Sequence, residues 1–344
     1  MRTIALALAG FMLALVAQPA AAQQKVTLRL HHFLPATSHT QADFLEPWAR
    51  KVEESAKGRI KVEIYPSMQL GGRAPQLFDQ VRDGVVDIVW TLPGYTPGRF
   101  PKVEVFELPF VAGTAKATSQ AVQAFAEKHL ADEFAAVHPI LFHVHAAGAF
   151  HMNKKPIATL GDLKGLKIRA PTRISNKMLA ALGAAPVGMP VPQVPEALSK
   201  GVIDGALLPY EVTTALRIHE LTDSNTEIAG PRGIYTAVFL LAMNKQRYDG
   251  LPDALKAAID AHSGLETAQW AGAVWEKTEA QARQVAVEAG HAFNRIEGPE
   301  LLRWQQASQP VIDDWLAEMK GKNIDGAKLL DDARLLVTQH TDGN

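Results

Sequence analysis

A chain of 344 residues carrying 35 Lys and Arg against 36 Asp and Glu has no basic surplus with which to hold nucleic acid. It contains no cysteine, which excludes disulfide staples, thiolate metal sites and lipid attachment through a cysteine beside a cleavage site. With 47 % hydrophobic residues it can fill two cores, and at this length two lobes are expected.

The first 22 residues, MRTIALALAGFMLALVAQPAAA, have the pattern of a signal peptide. Arg2 gives the positive start, Ile4 to Val16 an apolar run too short for a comfortable span, and Ala20 to Ala22 small residues for cleavage before Gln23. No later segment is apolar enough to cross a bilayer. In KVTLRLHHF (25–33), Val26, Leu28 and Leu30 alternate as in a strand. Ser38 or Thr40 caps the helix that follows, on which Phe44, Trp48 and Val52 recur every four residues. Pro47 is tolerated there only in a first turn or at a kink. Gly58 ends that helix, and RIKVEIYP (59–66) is a second strand.

LFDQVRDGVVDIVW (77–90) reads as a short helix, a glycine terminator at Gly84 and an apolar strand. EALSKGVIDGALLPY (196–210) repeats the grammar, Lys200-Gly201-Val202-Ile203-Asp204 echoing Asp83-Gly84-Val85-Val86-Asp87. Helix alternating with strand argues for α/β lobes with largely parallel sheets. Residues 136–157 read as one long strand leaving the first lobe, and 233–245 as a strand running back, which makes a two-segment hinge. A helical tract from Pro252 to about Phe293 is long enough to brace both lobes. Residues 300–319 are amphipathic and helical, with Pro310 kinking or dividing them. The expected division is a leader at 1–22, one lobe from 23–146 and 235–274, a second from 147–234 and 275–335, and a C-terminal tail at 336–344.

In LKGLKIRAP (163–171) the strand residues Leu166 and Ile168 face a core, while Lys167 and Arg169 face the other way. Arg169 therefore stands at the carboxyl end of a strand, where α/β sheets bind ligands. Its guanidinium is a flat fork of donors that matches a carboxylate. Arg173, four residues on, is the competing anchor. Trp90 and Tyr95 emerge at the end of a buried strand, and Tyr210 follows Leu208 by two residues. Phe110 is a further aromatic candidate, and Phe33, Leu208 and Tyr235 join the candidate wall. His32, at the end of the first strand, is placed as a neutral donor near a ligand. Such a cavity, apolar with one polar handle, selects a compact organic acid with a hydrophobic part.

Catalytic signatures are poor. His143 and His145 share a strand face, but no third ligand completes a zinc site, and neither GxSxG nor HExxH occurs. Asp83, Asp87 and Asp204 sit in helix-to-strand turns, where they cap or orient backbone. The alternatives kept open are a secreted metal-dependent enzyme built on His143 and His145, and a receptor that presents ligand to a sensor. No cofactor and no metal are expected.

KVEIYPSMQLGG (61–72), QVRDGVVDI (80–88), FELPF (106–110), DLKGLKIRAPT (162–172), ALGAAPVGMP (181–190) and ALSKGVIDGALLP (197–209) occur in an order and spacing that are specific together. Through them the chain resembles the DctP-like solute-binding component of tripartite ATP-independent periplasmic (TRAP) transporters, over about 25–330. The resemblance implies a periplasmic-binding-protein-like fold of two α/β lobes joined by crossing strands around a cleft. It also implies that Arg169 pairs with a substrate carboxylate and that the loaded protein docks on a small and a large membrane subunit. No chemical step is implied, and a monomer is expected. The sialic-acid-binding branch carries a second arginine where this chain has Ala149, and a polar pair where it has Leu207 and Leu208. A drier cavity and a hydrophobic or aromatic monocarboxylate are expected here.

Overall fold

The computed structural model describes residues 25–154 and 156–342, so the leader expected at 1–22 lies outside the described residues. The first half runs β1 (Val26–His31), α1 (Glu46–Ser55), β2 (Ile60–Tyr65), α2 (Leu77–Arg82), β3 (Ile88–Thr91), α3 (Ala115–His129) and β4 (Val137–Val144). It continues through β5 (Ala149–Met152), β6 (Lys167–Ala170), α4 (Arg173–Ala181), β7 (Ala185–Gly188), α5 (Val194–Ser199), β8 (Gly205–Leu208), α6 (Glu211–Ala215) and β9 (Ser224–Ile228). The chain returns on β10 (Val238–Asn244) and closes with α7 (Lys245–Asp249), α8 (Asp253–Asp260), α9 (Gly264–Glu288), β11 (Ala292–Ile296), α10 (Gly298–Gly321) and α11 (Gly326–Asp342).

Local chemistry explains the first elements. Val26, Leu28 and Leu30 are buried while Thr27 and Arg29 between them are exposed, the period-two pattern of a strand with one face on a core. Ser38 Oγ accepts from the Gln41 amide at 3.4 Å, so Ser38 opens the helical segment. A wide π-helical turn over Thr40–Leu45 comes first, and Pro47 then falls in the first turn of α1. The helix is continuous, since the Glu46 amide donates to the Gln41 carbonyl across that wide turn, and the widening lies just where Pro47 cannot supply an N–H.

Two mixed sheets result, ordered β2-β1-β3-β10-β4 and β11-β9-β5-β8-β6-β7. Read from β7, the second repeats the first, β7-β6-β8-β5-β9, with β11 added at the edge. In the first sheet β10 alone runs against its neighbours; in the second, β5 alone does. Each sheet is thus largely parallel, as expected, and the one strand that runs the other way is the strand delivered by the other lobe. The single strand expected over 136–157 is two strands in two sheets, broken at 145–148.

The echoed turns sit at matching places. Gly84 (φ +73°) and Gly201 (φ +65°) reverse the chain in the left-handed region that glycine tolerates. The Asp87 carboxylate then accepts from the Arg29 amide at 2.8 Å, and the Asp204 carboxylate from the Lys167 amide at 2.8 Å. Each aspartate also donates its own amide back to the same residue's carbonyl. These carboxylates lock β1 to β3 and β6 to β8, a structural task in both lobes.

The helical tract expected over 252–293 is interrupted at 261–263. Phe293 belongs to β11, which pairs parallel with β9. α9 nonetheless braces the lobes, packing on α3 and β4 on one side and on α6 on the other. Gly272 makes that crossing close, since a Cβ there would lie 2.6 Å from the Ala115 carbonyl oxygen and the Lys116 Cα. α10 passes through Pro310 without dividing; Pro310 is exposed, so water can satisfy the carbonyl that its missing N–H leaves open. The expected tail is no tail through 342. α11 continues to Asp342, with Leu329, Leu330, Ala333 and Val337 buried, and the helix packs on α3. No helix among the described residues is long and apolar enough to cross a membrane.

Candidate functional site

Strand β6 carries the expected anion anchor, Arg169. Lys167 is exposed, Ile168 and Ala170 enter the core, and Arg169 is buried with only 1 % of its surface accessible. Its Nε donates to the Met189 carbonyl at 3.0 Å and its Nη1 to the Leu207 carbonyl at 3.3 Å. The Tyr95 hydroxyl is a further favourable neighbour. Among the described residues no carboxylate pairs with Arg169, and burial lowers its pKa. A guanidinium has five N–H donors, so part of the fork remains for a ligand. Arg173 differs: Glu104 and Glu318 both grip it, which spends it on structure.

Arg169 faces a nearly closed cavity with about 30 Å³ of free space. The first lobe contributes Phe33, Trp90 and Tyr95, and the second contributes Leu208 with the arginine. Tyr235 enters from the returning segment. Phe33 stacks on Trp90 at 5.0 Å between ring centroids, and Trp90 on Phe239 at 4.5 Å, so one side of the cavity is a column of stacked rings. The Tyr95 hydroxyl accepts from the Val191 amide at 3.0 Å, tying one lobe's wall to the other.

Two expected wall residues lie elsewhere. His32 is buried beyond the end of β1; its Nε2 pairs with Gln41 Oε1 at 3.0 Å and its Nδ1 accepts from the Leu34 amide. Desolvation holds it neutral, with a pKa lowered to about 4. Tyr210 lies past Pro209, at the entrance to α6, where strand alternation has ended. Its hydroxyl donates to Glu227 at 3.0 Å and the ring borders a separate, broader groove. Ala149, where the resembled branch carries its second arginine, borders that groove too. Phe110 lines neither.

The paired histidines are occupied. His143 Nε2 accepts from the Trp90 indole at 2.9 Å. His145 Nε2 accepts from the Ala237 amide at 3.0 Å, and its Nδ1 faces the Ala146 carbonyl. Burial lowers both pKa values to about 3. No group of three His, Cys, Asp or Glu among the described residues is placed to hold a metal ion. His145 lines the cavity as a neutral wall between the two crossing segments.

Sequence reasoning missed Phe239 and Glu211, both of which line the cavity. Phe239 sits on a wholly buried strand that alternation cannot orient. Glu211 opens α6, and an acidic residue in a first turn is ordinary; its burial comes from α9 packing above it.

Two lobes of matching strand order, closed on a cavity lined by a guanidinium that has no carboxylate partner among the described residues, define a two-lobed solute receptor. The chain belongs to the DctP family, bacterial extracellular solute-binding protein family 7, whose profile matches residues 30–318, and within it to the TRAP transporter solute-binding proteins. It is 46 % identical to a marine metagenome TRAP solute-binding protein specific for aromatic acid ligands, solved with 3-hydroxybenzoate (TM-score 0.91, covering 92 % of this chain and 99 % of that one). A protein from Rhodoferax ferrireducens T118 with copurified benzoate is 45 % identical (TM-score 0.90, the same coverage). One from Bordetella bronchiseptica with bound mandelate is 30 % identical (TM-score 0.85, covering 91 % and 99 %).

Proposed function

We propose that this protein captures a monocarboxylate with a flat hydrophobic or aromatic body in the periplasm and hands it to the small and large membrane subunits of a TRAP transporter. The observation that carries the reading is Arg169: a buried guanidinium with no carboxylate partner among the described residues, facing an aromatic cavity. An uncompensated buried charge is strongly unfavourable, so an anion belongs beside it. The apolar walls supply area for a ring, and the charge inventory limits the ligand to one carboxylate. His145, the other basic residue in the wall, is neutral, and a second carboxylate would meet no cation. Leu208 in the wall leaves sugar hydroxyls unpaired, at about 1–3 kcal/mol each. The bound acids of the similar proteins fit the same chemistry.

In this reading the open form offers Arg169 to solvent and the carboxylate enters. Closure brings Phe33, Trp90 and Tyr95 over it, and exclusion of water strengthens the ion pair, which couples closure to binding. The pair orients the ligand while the buried rings supply most of the favourable free energy. Isothermal titration of ligand-stripped protein with benzoate, phenylacetate and mandelate, set against succinate, glucuronate and sialic acid, tests this. Aromatic monocarboxylates should release heat and raise the melting temperature, and the others should do neither. Tighter binding of succinate or a sugar acid than of any aromatic acid would overturn the reading.

A further inference from the structure

Glu211 is 4 % exposed and lines the same cavity as Arg169. The Trp275 indole donates to its Oε1 at 3.0 Å, while its Oε2 is buried without any hydrogen-bond partner. Helix α6 does not need this side chain as a cap, because Glu279 accepts from the Tyr210 amide at 3.0 Å and from the Glu211 amide at 2.9 Å. No cation pairs with Glu211 among the described residues. Burial, and next the nearby Glu279, raises its pKa well above the usual carboxyl range, which favours the uncharged acid. An orphan oxygen in such a place is strongly disfavoured unless something completes it.

We infer that Glu211 is a second recognition point: its open Oε2 hydrogen-bonds a hydroxyl on the ligand's body while Arg169 holds the carboxylate, so the protein selects hydroxylated aromatic acids. The inference rests on the proposed capture of an aromatic carboxylate. A hydroxyl both donates and accepts, and therefore suits a protonated carboxyl in either orientation. A second carboxylate would bring an uncompensated charge to this wall. An ammonium would bring three donors to a single open oxygen. The pair thus reads a ligand at two points in a space that is otherwise mostly apolar and that Tyr95, His145 and Tyr235 also border, and buried polar groups placed so discriminate sharply.

The test is calorimetry with benzoate and its three monohydroxy isomers on wild type, Glu211→Gln and Glu211→Met. Wild type should bind at least one hydroxy isomer about tenfold or more tightly than benzoate, consistent with one hydrogen bond to a buried group. Glu211→Gln keeps a partner for Trp275 and should retain most of that preference. Glu211→Met, of similar length and without polar oxygen, should bring the isomers within about threefold of benzoate while benzoate still binds. Benzoate binding with no hydroxyl advantage in wild type would overturn this inference and leave the proposed function standing, and the wild-type panel decides this even if Glu211→Met fails to fold. A preference that survives in folded Glu211→Met would also overturn it. Failure of every aromatic acid to bind would remove the proposed function and this inference together.

Discussion

Replacing Arg169 by alanine should cut affinity for an aromatic carboxylate by about three powers of ten. Arg169 is 1 % exposed, so a carboxylate beside it is taken from water as well. Removing one partner of a buried ion pair typically costs about 3–5 kcal/mol. Coulomb attraction at 4 Å with an effective dielectric of 20 gives about 4 kcal/mol. The two routes agree, and 4 kcal/mol is about a thousandfold in Kd. Arg169→Lys keeps the charge but not the fork, which must serve the Met189 and Leu207 carbonyls along with the ligand. It should recover part of the loss and remain about tenfold to a hundredfold weaker than wild type. Isothermal titration with benzoate on the three proteins reads this directly, with thermal melts of the same samples separating lost recognition from lost fold. Alanine and wild-type affinities within tenfold of each other would refute the reasoning.

Arg173 supplies the contrasting case. Arg173→Met leaves the buried Glu104 carboxylate without its main partner, which should lower unfolding free energy by about 3 kcal/mol. Adding Glu104→Gln should restore most of it in urea melts, and the benzoate Kd should change far less than in Arg169→Ala. For His143, burial lowers the folded pKa to about 3 from an ordinary 6.5. The stability tied to its neutral form is therefore whole above pH 6.5 and is lost as pH falls from there towards 3. His143→Gln should flatten the dependence of unfolding free energy on pH between 6 and 4.5 by about one proton, or about 1.4 kcal/mol per pH unit. Parallel profiles for the two proteins would count against a buried neutral imidazole.

Much of the frame was legible because it rests on local rules. Alternation marked β1, β2 and β6, and the paired Gly-x-x-Asp turns pointed to a similar helix-to-strand unit in each half, while chain length alone gave the expectation of two lobes. Arg169 was legible for the same reason, since alternation put it opposite Ile168 at a strand's end. Where alternation stops, assignment failed. His32 lies one residue past β1, and Tyr210 lies past Pro209 with its ring turned to another groove. β11 was hidden because most of AFNRI is not buried and so carries no apolar stripe. The break before α9 was marked only by Ser263-Gly264, a weak signal inside a helical pattern. Glu211 was illegible for a deeper reason: nothing within ten residues tells a first-turn glutamate that α9 will lie over it.

In the proposed reading, the cation and most of the aromatic wall come from separate stretches of chain. Arg169 and Leu208 belong to the segment threaded between β4 and β10, whereas Phe33, Trp90 and Tyr95 belong to the part that precedes it. The aromatic side of the gauge could therefore be revised without touching the grip, while Leu208, Glu211 and Tyr235 shape the ligand's body from the threaded segment itself. A library restricted to positions 33, 90 and 95 would sample new body shapes while every member still demanded an acid, and grafting the threaded segment alone would transplant that demand into a receptor of different contour.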